Sequence, residues 1–245
     1  MAVITGSSRG IGFAIAKEFA QNCGATVIMC SRSIKQSEKA AQDVGKNAHA
    51  MRLDISSSSS VRAFIANVLS RFSRIDILVN NAGYHFDKKI WYKPFHEVTD
   101  KEMGAIIDVD LKGSIRLSRA VIPAMIKNGG GIVISISSTP AISGHTEGGA
   151  YSIAKAGLIA MTKHIALEYG SKNIRAYTLA LGNIRTEATF DSMNDAQKKA
   201  AEQENAMKRW GEPDEVARIA ANIASDSFSF ATGNTIVVDG GSVFL

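Results

Sequence analysis

The fold is decided by the stretch Ala2-Val3-Ile4-Thr5-Gly6-Ser7-Ser8-Arg9-Gly10-Ile11-Gly12 near the start of the chain. Its first four residues predict a buried strand, and a helical pattern, Ile11–Gln21, follows the glycines. Glycine permits a tight turn and a close approach of backbone to phosphate, and the free amides of a helix start face such a turn. We therefore expect a dinucleotide pyrophosphate to bind here. The residues assigned to it are Gly6, Ser8, Arg9, Gly10, Ile11 and Gly12. The spacing is Gly-x-x-x-Gly-x-Gly rather than the commoner Gly-x-Gly-x-x-Gly, and a plain helix-start turn is the alternative.

Short apolar runs alternate with helical patterns along the rest of the chain. The predicted strands are Ala2–Thr5, Thr26–Cys30, Ala48–Leu53, Ile77–Asn80, Gly131–Ser135, Ile174–Leu179 and Thr235–Val238. The predicted helices include Ile11–Gln21, Val61–Arg71, Leu111–Ile126, Ala150–Tyr169 and Asp214–Ala224. Nearly continuous apolarity is typical of parallel strands buried on both faces. The sequence therefore predicts an α/β fold over residues 1–245: a single-domain Rossmann-type doubly wound sheet of about seven mostly parallel strands, with helices on both faces.

Composition excludes several classes of protein. The 245 residues are 45% hydrophobic and 21% charged, which is globular usage and not that of a disordered, collagen-like or coiled-coil chain. No apolar run approaches the ~20 residues of a membrane span, and the start does not resemble a secretory signal, so a cytoplasmic protein without a membrane partner is expected. The net charge of +5 is spread among acids, which favours an anionic cofactor or substrate over nucleic acid. The two cysteines and the histidines lack metal-site spacing, so no metal is expected.

The end of the second strand indicates which nicotinamide cofactor binds. An NAD site usually places an acid there to bind the adenosine ribose, but this chain has Ser31 and Arg32. Arg32, together with Arg9 of the glycine loop, is suited to hold a 2′-phosphate, so NADP(H) is expected to be preferred, with NAD(H) as the alternative. Asp54 and Ile55 follow the third strand on the adenine side. The Asp54 carboxylate either accepts from the adenine amino group or caps a helix.

Five motifs in order along the chain resemble the short-chain dehydrogenase/reductase family. They are Thr5-Gly6-x-x-x-Gly10-x-Gly12, Asn80-Asn81-Ala82-Gly83, Ser138, Tyr151-x-x-x-Lys155 and Val238-Asp239-Gly240-Gly241. Within that family the chain is most similar to 3-oxoacyl-carrier-protein reductases and their close relatives. The resemblance implies that Asn81, Ala82 and Gly83 line the cofactor and tie neighbouring strands together, and that Ile184 and Thr186 meet the nicotinamide amide. It also implies a homodimer or homotetramer packed through the helix Ala150–Tyr169.

Tyr151 and Lys155 lie four apart in a helical stretch, so they share one face. A lysine ammonium within reach of a tyrosine favours its phenolate, which makes Tyr151 a usable general acid, or a base in the reverse direction. The resemblance also implies that Tyr151 and Lys155 bind the cofactor, with Lys155 holding the nicotinamide ribose hydroxyls. Ser138 lies thirteen residues before Tyr151, as the substrate-orienting serine of the family does, and its hydroxyl is expected to bond the carbonyl oxygen. No Gly-x-Ser-x-Gly elbow is present, which argues against a serine nucleophile.

Asp110 departs from the family pattern, because asparagine is the usual fourth catalytic residue at this position. In the family, the backbone carbonyl of that residue holds a water of the proton relay, and a carbonyl survives the replacement. The Asp110 carboxylate can instead pair with Lys155 and weaken its effect on Tyr151. We expect an active enzyme.

The resulting hypothesis is an NADPH-dependent carbonyl reductase that transfers hydride to a ketone, with 3-oxoacyl thioesters as one candidate class. Two alternatives stay open: an alcohol or sugar dehydrogenase of the same family, and a catalytically impaired cofactor-binding regulatory protein. The polar segment at about 187–210 is expected to be a mobile substrate lid. The stretch Tyr84–Val98 is expected either to wall the site or to cover a neighbouring subunit. The sequence does not name the substrate, its stereochemistry or a carrier protein.

Overall fold

Seven apolar stretches form one sheet in the computed structural model, which describes residues 1–244. The strands are β1 (Ala2–Thr5), β2 (Val27–Ser31), β3 (Ala48–Arg52), β4 (Ile77–Asn80), β5 (Gly131–Ser138), β6 (Ile174–Leu181) and β7 (Thr235–Val238). Their order is β3-β2-β1-β4-β5-β6-β7, and every neighbouring pair is parallel. This confirms the predicted doubly wound α/β class, with all the strands parallel rather than most of them.

Helices cover both faces of the sheet. They are α1 (Gly10–Lys17), α2 (Ile34–Val44), α3 (Ser58–Phe72), α4 (Lys88–Trp91), α5 (Asp100–Asp110), α6 (Lys112–Lys127), α7 (Pro140–Ser143), α8 (Gly149–Tyr169), α9 (Asp195–Gln203) and α10 (Pro213–Ile223). Alternate strand residues enter two separate cores, because successive side chains of a strand point to opposite faces. Ile4 packs in one core with α1 and α10, and Val3 packs in the other with α3 and α6. None of the helices within residues 1–244 is both long and apolar enough to cross a bilayer.

The chain reverses its direction of travel across the sheet between β1 and β4. From β1 it runs outward to β3, and it then returns to β4 and continues to β7 on the other side. Ligands of such sheets bind outside the carboxyl ends of the strands at this switch point. The glycine loop after β1 and the Asn81-Ala82-Gly83 stretch after β4 meet there.

Some element boundaries differ from those predicted. Strands β5 and β6 are eight residues long and pair along their whole length, so Ser138 is the last residue of β5 and not a residue beyond it. The strand β3 ends at Arg52, which leaves Asp54 in the following loop. Helix α1 ends at Lys17, and a π-helical turn continues it to Asn22.

Candidate active site

The glycine loop packs closely against the Asn81-Ala82-Gly83 stretch after β4. Gly6 and Gly10 have φ angles of 63° and 56°, in the left-handed region that favours glycine. A Cβ on Gly6 would lie 2.8 Å from the Cα of Ala82, and one on Gly12 would lie 2.4 Å from Nδ2 of Asn81. Helix α1 begins at Gly10, so its first free amides face the turn. The loop thus has the close packing and the helix start that a pyrophosphate cradle requires.

Thr5 and Asn81 fasten the two sides of the switch point together. The Thr5 hydroxyl accepts the backbone N–H groups of Asn81 and Ala82, at 3.0 and 2.9 Å. The Asn81 amide donates to the backbone oxygens of Thr5 and Gly6, at 2.9 and 3.1 Å. This is the tie between neighbouring strands that the resemblance implies. The part played by Thr5 was missed from sequence, although a hydroxyl directly before the first glycine is a visible signal.

A groove of about 370 Å³ runs along this edge of the sheet. Ten residues assigned to the cofactor line it: Gly6, Ser8, Arg9, Ser31, Arg32, Asp54, Ile55, Asn81, Ala82 and Gly83. The adjoining Gly10, Ile11 and Gly12 form the start of α1. Thr186 lies against the glycine loop, since its Cγ2 is 3.6 Å from where a Cβ of Gly10 would be. Ile184 is buried nearby in an isolated bridge to Gly211. The residues present, a groove with the close-packed glycine loop and a helix start along it, fit a dinucleotide.

The Asp54 carboxylate is used locally. It accepts the backbone N–H of Ser56 at 3.0 Å and the Ser56 hydroxyl at 2.6 Å. The hydroxyl bond is the main reason that the pKa of Asp54 is lowered from its ordinary value, and the positive charges of Arg32 and Arg52 act in the same direction. The side chain therefore stabilises the turn before α3, but it does not cap that helix, whose N-cap is Ser57. The residue also lines the groove.

Lys155 and Tyr151 lie on one face of α8 next to the end of β5. The Lys155 side chain is buried, and its Nζ donates to the backbone oxygen of Ile136 at 3.1 Å. The same Nζ lies 5.4 Å from the centre of the Tyr151 ring. The Ser137 hydroxyl donates to the backbone oxygen of Lys155 at 2.9 Å, which fixes the helix to the strand. Tyr151 is the third residue of α8, so the positive end of the helix dipole lies beside it.

Ser138 ends β5 on the same side of the sheet. Its hydroxyl donates to the backbone oxygen of Leu181 at 3.1 Å, and Ser138 and Leu181 are register partners in the sheet. Rotation about a single bond frees this hydroxyl for a substrate oxygen. Ser137, the neighbouring serine, is buried and donates to the backbone of α8. The side chain of Ser138 is therefore the more available of the two.

Asp110 is buried at the end of α5 and is 1% exposed. One carboxylate oxygen accepts the backbone N–H of Tyr84, and the other lies 3.8 Å from Nζ of Lys155. The backbone oxygen of Asp110 accepts the Ser114 hydroxyl at 3.2 Å. The helix is interrupted at Leu111 between α5 and α6. The structure thus contains the Asp110–Lys155 pair that the sequence raised as a possibility.

The segment at about 187–210 contains α9 and lies next to the groove. Glu187 is 3.8 Å from Arg9 of the glycine loop, and Lys88 donates to the backbone oxygen of Ser192 at 2.8 Å. The Phe190 ring packs edge-on against Trp210, 5.2 Å between centroids. The segment therefore contacts both the glycine loop that lines the groove and the stretch Tyr84–Val98.

Comparison with known proteins places the chain among reductases. A family model described as "Enoyl-(Acyl carrier protein) reductase" matches residues 6–243. The chain is 36% identical to the 3-oxoacyl-[acyl-carrier-protein] reductase FabG of Chlamydia trachomatis, over 98% of this chain and 96% of that protein. The corresponding protein of Thermotoga maritima is 33% identical with the same coverage. Dehydrogenase/reductase SDR family member 4 of Oryctolagus cuniculus is 32% identical over 99% of this chain and 93% of that protein.

Proposed function

Because the chain belongs to the short-chain dehydrogenase/reductase family, a family of oxidoreductases acting on carbonyl and alcohol groups, we propose that it reduces ketones with NADPH and that 3-oxoacyl thioesters are its first candidate substrates. The observation that supports the proposal is the position of Lys155, whose Nζ lies 5.4 Å from the centre of the Tyr151 ring and donates to Ile136 of β5, the strand that ends at Ser138. Three of the relatives similar to this chain carry the name 3-oxoacyl-[acyl-carrier-protein] reductase.

In the proposed mechanism three side chains act at the carbonyl group of the substrate. When bound, the nicotinamide cofactor supplies the hydride that adds to the carbonyl carbon. Tyr151 gives its phenolic proton to the carbonyl oxygen, and the Lys155 ammonium stabilises the phenolate that remains. The Ser138 hydroxyl leaves the backbone oxygen of Leu181 and donates to the same carbonyl oxygen. The products are the alcohol and the oxidised cofactor, and Tyr151 regains its proton from water.

The preference for NADPH rests on the charges at the adenosine end of the groove. Arg9 and Arg32 both line it, and Ser31 stands at the end of β2, where a carboxylate would bind the 2′-hydroxyl of NADH. A guanidinium binds a phosphate with strong charge-assisted hydrogen bonds. The proposal is that these two arginines hold the 2′-phosphate of NADPH.

A homodimer or homotetramer through α8 is also part of the proposal. Ile153 and Leu167 are 47% and 88% exposed on this helix, although both are apolar. Covering such side chains against a second copy removes apolar surface from water, which is favourable. Sedimentation velocity tests this assembly, and a monomer at micromolar concentration would contradict it.

The second candidate is a cofactor-binding protein that has lost turnover. The buried Asp110–Lys155 pair favours it, since a carboxylate 3.8 Å from the ammonium competes with the Tyr151 phenolate for its charge. The intact Ser138, Tyr151 and Lys155 favour the enzyme.

Oxidation of NADPH and of NADH at 340 nm, against acetoacetyl thioesters, diketones, quinones and small sugars, separates these functions. The proposal expects turnover of at least one ketone and a higher kcat/KM with NADPH. NADPH binding without oxidation across the panel would instead favour the cofactor-binding regulatory protein. Comparable kcat/KM values with the two cofactors would overturn the cofactor preference.

A further inference from the structure

The indole of Trp91 is fixed against the turn that leads into the catalytic helix. Trp91 ends α4, and its ring meets the Tyr151 ring edge-on, with 5.6 Å between centroids. The indole N–H donates to the Glu147 carboxylate at 3.3 Å, and the Trp91 backbone oxygen accepts the N–H of Gly148 at 2.9 Å. Both the side chain and the backbone of Trp91 are therefore held in place.

Gly148 is the position that makes room for this ring. Its φ angle is 68°, and a Cβ there would lie 2.5 Å from the indole. An alanine at 148 would have to push the indole away as well as adopt a strained backbone. The turn before Tyr151 is thus shaped around Trp91, although the two segments are 56 residues apart at the Trp91–Glu147 contact.

Trp91 forms part of the wall of a small cavity beside Tyr151. The cavity has a volume of about 40 Å³, and its walls include Phe86, Ile90, Trp91, Ile106 and Tyr151. A water molecule needs about 10–15 Å³ by this measure, so the cavity holds about three waters or a very small apolar group. Tyr84 also lines it, and Tyr84 lines the cofactor groove as well, so the two spaces adjoin.

We infer that Trp91 sets the substrate specificity of this site, by limiting one substituent of the ketone to about the size of a methyl or ethyl group. The inference rests on the proposed ketone reduction and names its substrate class: methyl and ethyl ketones, with acetoacetyl ahead of longer 3-oxoacyl groups among the thioesters. A longer alkyl chain on that side has to displace an indole that is held by Tyr151, Glu147 and Gly148. Each extra methylene against a closed apolar wall costs about 10- to 200-fold in kcat/KM.

The test is a chain-length series of 3-oxoacyl thioesters with four, six, eight and ten carbons, reduced with NADPH. For the wild type, kcat/KM is expected to fall at least about tenfold for each step beyond the size limit. Trp91→Ala opens the cavity, so its kcat/KM should become nearly independent of chain length, and Trp91→Phe should lie between. Tyr92→Ala is the matched control, because Tyr92 is the next aromatic residue but is 52% exposed, and it should keep the wild-type profile.

A wild type that reduces long and short chains equally well would overturn the inference and leave the proposed function intact. The same holds if Trp91→Ala retains the wild-type dependence on chain length. If no carbonyl is reduced by any variant, the proposed function fails, and a binding experiment then tests the inference.

The chain has two tryptophans, Trp91 and Trp210, so in the Trp210→Phe variant Trp91 is the only tryptophan that fluoresces. Its fluorescence should be quenched saturably by acetoacetyl but not by 3-oxodecanoyl thioesters, and equal quenching by both would refute the size limit.

Discussion

At the scale of single residues, a buried pair of opposite charges lies beside Tyr151 and affects the stability of the fold. The Lys155 and Asp110 side chains are 7% and 1% exposed, and their charged atoms are 3.8 Å apart. A buried charge is tolerated when it is paired and hydrogen-bonded, and removing one partner is strongly destabilising. Asp110 also accepts the N–H of Tyr84, and Lys155 donates to the backbone of β5. The pair therefore joins α5, α8 and the loop after β4 beside the proposed proton donor, Tyr151.

Asp110→Ala is expected to lower the free energy of unfolding by about 3–5 kcal/mol, because it leaves the Lys155 ammonium buried without its partner. Asp110→Asn keeps an oxygen for the Tyr84 N–H and should cost less. It should also raise the rate of ketone reduction, because the ammonium then acts on the Tyr151 phenolate alone. Urea unfolding and the rate as a function of pH measure the two effects. An alanine variant as stable as wild type would show that the pair contributes nothing to folding.

Arg32→Ala is expected to raise KM for NADPH roughly ten- to hundredfold, and to leave KM for NADH nearly unchanged. The reason is that a hydrogen bond to a charged group contributes about 1.5–3 kcal/mol, and only NADPH carries the 2′-phosphate. Arg71→Ala is the control, since Arg71 lies at the end of α3 and does not line the cofactor groove within residues 1–244. An equal rise in KM for both cofactors would mean that Arg32 does not bind the 2′-phosphate.

At the scale of elements, the succession of strands and helices along the chain was predictable from sequence, because buried parallel strands are continuously apolar. The Ile- and Val-rich runs of β1, β4 and β7 were placed with their observed boundaries. The end of β5 was not, because Ser137 and Ser138 are residue types typical of loops, and pairing with β6 keeps them in the strand. The tie between Thr5 and Asn81 joins residues 76 apart, so a single sequence could place the motifs but not their hydrogen bonds.

Gly12→Ala tests the packing of the glycine loop. Its Cβ would lie 2.6 Å from the backbone oxygen of Gly6 and 2.4 Å from the Asn81 amide, so the loop must shift. NADPH binding should be lost, or weakened at least about tenfold, and the melting temperature should fall, as overpacking costs about 1–3 kcal/mol. Gly104→Ala is the matched control in α5: nothing lies within 4 Å of its Cβ, and it should stabilise the helix by about 0.5–1 kcal/mol. Unchanged cofactor affinity in Gly12→Ala would contradict the cradle.

At the scale of the whole molecule, two carboxylates that form ion pairs at helix starts contribute to the pH dependence of stability. The Arg209 guanidinium, and then the backbone N–H of Glu212, lower the pKa of Glu215 to about 2 at the start of α10. The Lys93 ammonium, and then Thr99, lower the pKa of Glu102 to about 2 at the start of α5. A carboxyl whose pKa is lower in the folded than in the unfolded chain stabilises the fold above its unfolded pKa, and that contribution is lost as pH falls through the folded value.

The melting temperature of the wild type is therefore expected to fall as pH drops from 4.5 towards 2. A double variant, Glu102→Gln with Glu215→Gln, should melt at a lower temperature at pH 6, and its curve should approach that of the wild type near pH 2. Glu38→Gln, on the exposed side of α2, is the control and should follow the wild type throughout. Parallel curves for wild type and double variant would show that these two carboxyls do not govern the acid transition.

Some features of the candidate site could be predicted from the sequence, and others depend on how the chain folds. The spacing of Tyr151 and Lys155 alone predicts that they share a helix face. The glycine loop can be recognised from sequence because it follows a strand and precedes a helix. The Asp110–Lys155 pair was raised as a possibility only through the family resemblance, and the packing of Trp91 against Gly148 was not foreseen, because both are contacts between distant segments. Composition and periodicity carry no information about such pairings.

The most direct test of the central claim is the kcat of Tyr151→Phe for acetoacetyl thioester reduction, with NADPH binding measured in parallel by fluorescence. Phenylalanine keeps the ring contact with Trp91 and removes only the hydroxyl that supplies the proton. The account predicts that kcat falls at least about a hundredfold, the usual scale for loss of a general acid, while NADPH still binds. A variant that binds NADPH and turns over at close to the wild-type rate would contradict it.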